Sequence, residues 1–311
     1  MSLIRPFDFN EVFIAPWTTN LGSFGWVALM GFFVTAACGL IGTFLILRRM
    51  ALVGDAISHS VLPGLAIAFL LAKSRSSTAM FLGALGAGIV TTVIIELIHR
   101  KSRVKQDAAI GITFSSLFAI GVIIISLFAS KVDLDQECVL YGEIAWIAND
   151  LPAVARMGVV ALMVGFLIVL FYKELLISSF DPGLAMSVGI NATFVHYSLM
   201  AALSAVVVSA FESVGAILVV AMLILPGATA SLLSHRLPVI FGLTILHAAL
   251  SAVLGMHLGI WLGCSLAGAM VVIAAALFLL AWLFSPTRGL ISRLLHRSVE
   301  LEEPAPALAP K

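Results

Sequence analysis

The chain has 311 residues, 61% of them hydrophobic and 11% charged, against roughly 45–50% apolar and 25% charged in a soluble domain, which excludes a soluble globular protein. Its 17 Lys and Arg nearly balance 16 Asp and Glu, for a net charge of +1, so there is no broad basic surface and nucleic-acid binding is excluded. Cys38, Cys138 and Cys264 are an odd number, widely spaced and without a C-x-x-C pair, which argues against a disulfide framework or a thiolate metal site.

Residues 1–23 carry Phe7, Phe9, Phe13, Ile14 and Trp17 among Asp8, Asn10, Glu11 and Pro16. Without the basic n-region of a secretory signal they read as an interfacial segment. Apolar runs then predict an all-α polytopic membrane bundle, residues 24–292, with spans over 24–47, 51–72, 77–98, 108–130, 153–172, 195–211, 214–233, 239–257 and 265–284, each near the ~20 residues that cross a ~30 Å hydrocarbon core. Glu212 and Ser213 interrupt 195–233, which is either two spans or one broken element, so eight crossings stand beside nine.

With nine, Arg48, Arg49, Arg100, Lys101, Arg103, Lys105, Lys173, Arg236, Arg288, Arg293, Arg297 and Lys311 fall on one side, and only Arg5, Lys73, Arg75, Lys131 and Arg156 on the other. The positive-inside bias makes the first side cytoplasmic, with the N-terminus outside. The acidic stretch 131–150, with Asp133, Asp135, Glu137, Glu143 and Asp150 among apolar residues, reads as a short amphipathic cap on the outer face. The tail 293–311, acidic and proline-rich, is expected to stay disordered. Gly83, Gly86, Gly88, Gly255, Gly259 and Gly263 have the small-residue spacing that lets membrane helices approach closely.

No Gly-Lys pair is present for a phosphate-binding loop, no H-E-x-x-H for a metalloprotease and no G-x-S-x-G elbow. An apolar span without enzyme motifs that holds ionisable groups is by default part of a permeation path. The second span, ALVGDAISHSVLPGLAIAFLLA, places Asp55 and His59 four residues apart on one helical face. Carboxylate and imidazole together suit Mn²⁺, Fe²⁺ and Zn²⁺, and Pro63 removes the helical donor to the His59 carbonyl. The alternative is a hydrogen-bonded pair that caps the helix near the cytoplasmic headgroups. Glu96, one turn before His99, reads as a snorkelling or salt-bridged carboxylate, and Glu212 as a solvated outer turn or a residue at the mouth of a path. His247 reads as structural, and His196, His235 and His257 as ordinary span-end residues.

The connection 173–191, KELLISSFDPGLAMSVGIN, is too polar to span and too apolar for a solvated loop. Asp181 before Pro182 marks a helix start, with an end near Gly189. Such a helix presents Phe180, Leu184, Met186 and Val188 either to a protein groove or to the bilayer surface.

The strings LRRMALVGDAISHSVLPGLAIAFLL (47–71), SFDPGLAMSVGI (179–190), AMLILPGATASLL (221–233) and FSPTRGL (284–290) resemble, in order and spacing, the permease subunits of metal-ion ABC transporters. The resemblance covers roughly residues 20–292. It implies a fold related to the vitamin-B12 and siderophore importers and a multi-pass protein of the bacterial cytoplasmic membrane. Implied partners are a second permease subunit, identical or paralogous, an ABC ATPase dimer and an extracytoplasmic metal-binding protein. No cofactor is bound permanently, and the cargo is Mn²⁺, Fe²⁺ or Zn²⁺. Carried over by position, Asp55 and His59 become the metal site. Phe180, Asp181, Pro182, Leu184, Met186, Gly189 and Ile190 become the ATPase-coupling element, and Pro63, Glu212 and Pro226 become gate or pore-lining positions. Gly183 departs from the acidic or larger residue common there. The outer loop 133–147 is more similar to the manganese and iron members than to the zinc ones. The rival expectations are a proton-coupled secondary metal transporter, for which no internal repeat is visible, and a membrane enzyme using Asp55 and His59 as acid and base, which lacks a nucleophile.

Overall fold

The computed structural model describes residues 8–18, 20–72, 77–128, 144, 150–285 and 289. Among them, nine helices are long and apolar enough to cross a membrane. These are α1 (Leu21–Leu47), α2 (Val53–Ala72), α3 (Ser77–Lys101), α4 (Gln106–Phe128) and α5 (Leu151–Leu170), followed by α8 (Ala192–Val214), α9 (Ala216–Leu233), α10 (Leu237–Leu262) and α11 (Leu266–Phe284). Two short helices, α6 (Tyr172–Phe180) and α7 (Pro182–Ser187), separate α5 from α8. The described part of the outer stretch consists of buried Ile144 and of Asp150, which caps α5 by accepting from the Ala153 N–H at 3.1 Å. The rest of 131–150 and the tail 293–311 lie outside the described residues.

α1 is the hub. Every residue from Val34 to Leu45 is buried, the mark of a helix enclosed on all sides, and α5, α8, α9 and α10 pack around it. α2 packs on α3 and α4 to form a flank. Because lipid tails are as apolar as leucine, such helices associate through close packing, which small residues permit. A methyl group on Gly42 of α1 would overlap the Leu223 carbonyl of α9, and one on Gly121 of α4 would stand 2.8 Å from Pro63 of α2. Gly83, Gly88, Gly255 and Gly259 sit at similar contacts. Gly86 does not: it meets nothing within 4 Å. Gly263 serves α10 as a left-handed C-cap with φ +64°.

The interruption in 195–233 makes two helices, but its break is displaced from the expected place. α8 runs through Glu212 and Ser213 to Val214, and the chain turns at Gly215, with φ 80° and ψ 168°. A polar pair does not stop a helix whose backbone bonds continue, whereas glycine alone adopts that backbone conformation readily.

Ahead of α1, residues Asn10–Ile14 and Ala15–Thr18 are helical. Trp17 Nε1 donates to His257 Nε2 at 3.2 Å, and His257 Nδ1 lies 2.9 Å from the Val12 carbonyl. This segment is therefore clasped to the α10 end.

Replacing Gly42 with Ala should cost about 1–3 kcal/mol by overpacking and lower the unfolding temperature in detergent. Gly86→Ala, with open space around it, should leave that temperature unchanged or raised. Equal effects of the two substitutions on thermal melts would contradict the close α1–α9 contact.

Candidate functional site

Asp55 and His59 lie on α2, and the packing of Ile57 between them sets their depth. Gly88 of α3, placed to meet both Ser204 of α8 and Ile57, is the twelfth of 25 residues in α3, and Ser204 is the thirteenth of 23 in α8. Ile57 is thus at mid-depth of the bundle, and at ~1.5 Å rise per residue the two polar groups stand about 3 Å to either side of it. The first turn of α2 is seated well inside, with Gly54 against Leu223 and Leu203.

His59 Nε2 stands 3.5 Å from Asp55 Oδ1, with the side chains 28% and 43% exposed respectively. Two rings of α4 flank the imidazole: Phe114 at 5.1 Å between centroids and Phe118 at 6.0 Å, edge-on. Among the described residues no third His, Cys, Asp or Glu joins the pair. One oxygen and one nitrogen at this separation offer two donors to a divalent first-row cation, fewer than a complete shell.

Pro63 and Pro226 are buried in helix contacts, Pro63 against Gly121 and Pro226 against Gly39. Glu212 belongs to the last turn of α8, and its side chain is outside the described part. Glu96 is buried, ion-paired with Arg100. His247 is buried, its Nε2 3.3 Å from the Ala274 carbonyl.

The connection 173–191 contains the capped helix expected from sequence and, ahead of it, α6, which no local signal separates from it. Asp181 Oδ1 accepts from the Gly183 and Leu184 amides at 2.9 and 3.0 Å, with Pro182 in the first turn. The C-terminus closes with Ile190 N–H on the Ala185 carbonyl and Gly189 N–H on that of Met186, Gly189 having φ +89°. This paired motif satisfies two end carbonyls and needs the left-handed residue. With Ala185 facing inward, Phe180, Leu184, Met186 and Val188 are left 68%, 53%, 63% and 63% exposed. Sequence reasoning missed the residues that hold this connection to the bundle: Arg48, Ser178, Ser179 and His196. Their partners are more than 100 positions apart, a relation that no spacing reveals.

Nine apolar helices long enough to cross a membrane, one of them carrying a carboxylate–imidazole pair, make the architecture of a multi-pass membrane protein. The ABC 3 transport family matches residues 23–285. Similar proteins include the manganese transport system membrane protein MntD of Bacillus subtilis, 44% identical over 87% of this chain and 95% of its own length. Another is the zinc transport system membrane protein TroD of Treponema pallidum, 42% identical over 89% of this chain and 78% of its own. PsaBC from Streptococcus pneumoniae, solved in complex with Fab, superposes with a TM-score of 0.78 at 35% identity, covering 94% of this chain and all of the matched chain. An inward-facing metal-chelate type ABC transporter shares the fold, with a TM-score of 0.63 at 18% identity over 82% of this chain and 84% of that one. This chain belongs to the ABC 3 transport family, as a permease of the bacterial cytoplasmic membrane.

Asp181→Ala removes the acceptor of both α7 amides and should cost about 1 kcal/mol locally. Hydrogen exchange at Gly183 and Leu184 should speed up several-fold while α5 and α8 stay protected. Unchanged exchange there would mean that the cap does not hold α7.

Proposed function

We propose that this chain is the membrane subunit of a binding-protein-dependent importer of divalent metal ions. Two permease chains enclose the path, and ATP hydrolysis in a separate subunit drives it. The observation that carries this reading is a carboxylate and an imidazole at mid-depth, part-exposed on the protomer face and short of a full ligand set. Facing lipid, such a pair is costly. Facing its counterpart across a twofold axis, it becomes two oxygens and two nitrogens, a set suited to Mn²⁺, Fe²⁺ or Zn²⁺. The relatives named for manganese and for zinc support a metal cargo, and the outer-loop resemblance favours manganese or iron over zinc. The metal-binding protein would deliver its ion at the acidic outer stretch 131–150. No resident cofactor is required.

The exposed apolar row on α6–α7 supports an ATPase-docking role for Phe180, Asp181, Pro182, Leu184, Met186, Gly189 and Ile190. A groove-docked helix presents anchors of this kind on one face. Leu184→Asp or Met186→Asp should release the ATPase on co-purification while the permease stays folded. Retention of the ATPase at wild-type stoichiometry would refute the docking assignment.

The deciding experiment for the path is metal uptake and metal-stimulated ATP turnover in proteoliposomes, with Mn²⁺, Fe²⁺ or Zn²⁺ supplied on the binding protein. Asp55→Asn and His59→Ala should each reduce both readouts at least tenfold in an assembled complex, Asp55→Asn at least as severely, since it also removes the charge that offsets the ion's desolvation. Because protons compete with metal for the same lone pairs, site occupancy should fall on acidification. Wild-type uptake by both variants would make the pair structural, and uptake driven by a proton gradient without the ATPase would replace the ABC reading with a secondary transporter.

A further inference from the structure

Arg48, the first residue past α1, makes three directed contacts, two to the connection that carries α7 and one to the start of the helix that follows it. Its Nη2 donates to Ser178 Oγ at 2.9 Å and its Nε to Ser179 Oγ at 3.0 Å, both on the last turn of α6, while Nη1 lies 3.3 Å from His196 Nδ1 on α8. One guanidinium thus grips both flanks of residues 181–191. His196 reaches onward, its Nε2 3.4 Å from Glu96 Oε2, and Glu96 accepts from Arg100 Nε, both on α3. Beside this grip an apolar cavity of about 550 Å³, lined by Ile41, Ile168, Phe171, Ile190, Phe194 and Val195 among others, separates part of the connection from α1 and α5. Leu175, Tyr172 and Leu176 pack on the core beside it, so the polar grip adds direction to an apolar seat.

The backbone of Arg48 leads directly into the helix of the candidate metal site. Arg49 has φ +58°, the one positive φ outside glycine among the described residues, a conformation that costs a non-glycine residue of order 1 kcal/mol. Met50 N–H donates to the Leu45 carbonyl at 2.8 Å and Val53 N–H to that of Met50 at 3.1 Å, with Met50 buried. Hydrogen bonds thus anchor both ends of the turn, and Asp55 lies in the first turn of the helix that follows.

We propose that Arg48 is the positioning residue that transmits displacement of the docking segment into the start of α2, and hence to Asp55, a role that rests on the docking reading above. A lysine ammonium is a point charge and cannot reproduce a planar fork with three separately directed donors. Arg48→Lys should therefore fail as well as Arg48→Ala.

The test uses the complete complex in proteoliposomes, with Arg48→Ala, Arg48→Lys and the double variant Ser178→Ala/Ser179→Ala. Bound ATPase, ATP turnover and metal transported per ATP are measured for each. In a background with Cys138 and Cys264 replaced, spin labels at Leu52 and Lys173 report nucleotide-dependent movement of the α2 approach and of α6. Both Arg48 variants should retain the ATPase, lose metal per ATP at least tenfold, and lose the movement at Leu52 while keeping it at Lys173. The double serine variant should lose metal per ATP several-fold. Should Arg48→Ala fail to assemble, the Lys and double serine variants decide. Preserved metal per ATP, or movement at Leu52 that persists without the guanidinium, overturns the proposal. If the label at Lys173 does not move in the unmodified chain, or Leu184→Asp leaves the ATPase bound, it is the docking reading that has failed.

Discussion

Leu223 is where the geometry of this bundle is decided. Its carbonyl lies against Gly42 of the enclosed helix α1, while its side chain lies against Gly54 at the start of α2. The first contact sets how closely α1 and α9 approach. The second seats the beginning of α2 inside the bundle instead of at its surface, and with the packing of Ile57 it brings Asp55 and His59 to the middle of the bundle. Where water cannot help separate polar from apolar, fit of this kind carries the association of helices.

That seating explains why the α1–α2 turn is unusual. A helix that starts within the bundle brings its unpaired N-terminal amides with it, and these must find partners away from water. The turn supplies some of the bonding: Met50 N–H and Val53 N–H are satisfied locally, and the Leu52 carbonyl receives Ala56 N–H. The left-handed Arg49 is what lets five residues reverse direction with so many of their polar groups bonded.

Much of the fold was legible from sequence, because membrane spans are written as long apolar runs: nine helices fall where nine runs were read. The capped helix at Asp181–Pro182 was equally legible, since capping is local chemistry. The misreadings share a cause. Glu212 and Ser213 looked like a break because they are polar, yet polarity does not end a helix, and the conformational freedom of Gly215 does. Asp55 and His59 were legible as a pair but not in depth, which depends on contacts of Ile57 with helices far away in sequence. His196 and His257 were passed over as span-end residues. In the fold they join segments 148 and 245 positions apart, a property of the assembled bundle and not of either stretch.

The two ends of the molecule treat polar groups differently from the middle, and the difference bears on function. At the basic end, Arg48, His196, Glu96 and Arg100 run through one connected set of contacts. At the other end His257 is enclosed by Trp17, Phe13 and the Val12 carbonyl. Groups engaged in this way have few lone pairs turned toward anything that passes. Asp55 and His59 are the contrast: a 3.5 Å separation, part exposure and aromatic walls on one side leave their lone pairs available. A conducting site has to hold its ion long enough to select it and weakly enough to let it go. On the proposed reading, a pair that is half a coordination shell in each protomer would meet both demands, because the complete shell would then exist only while two copies held α2 in register.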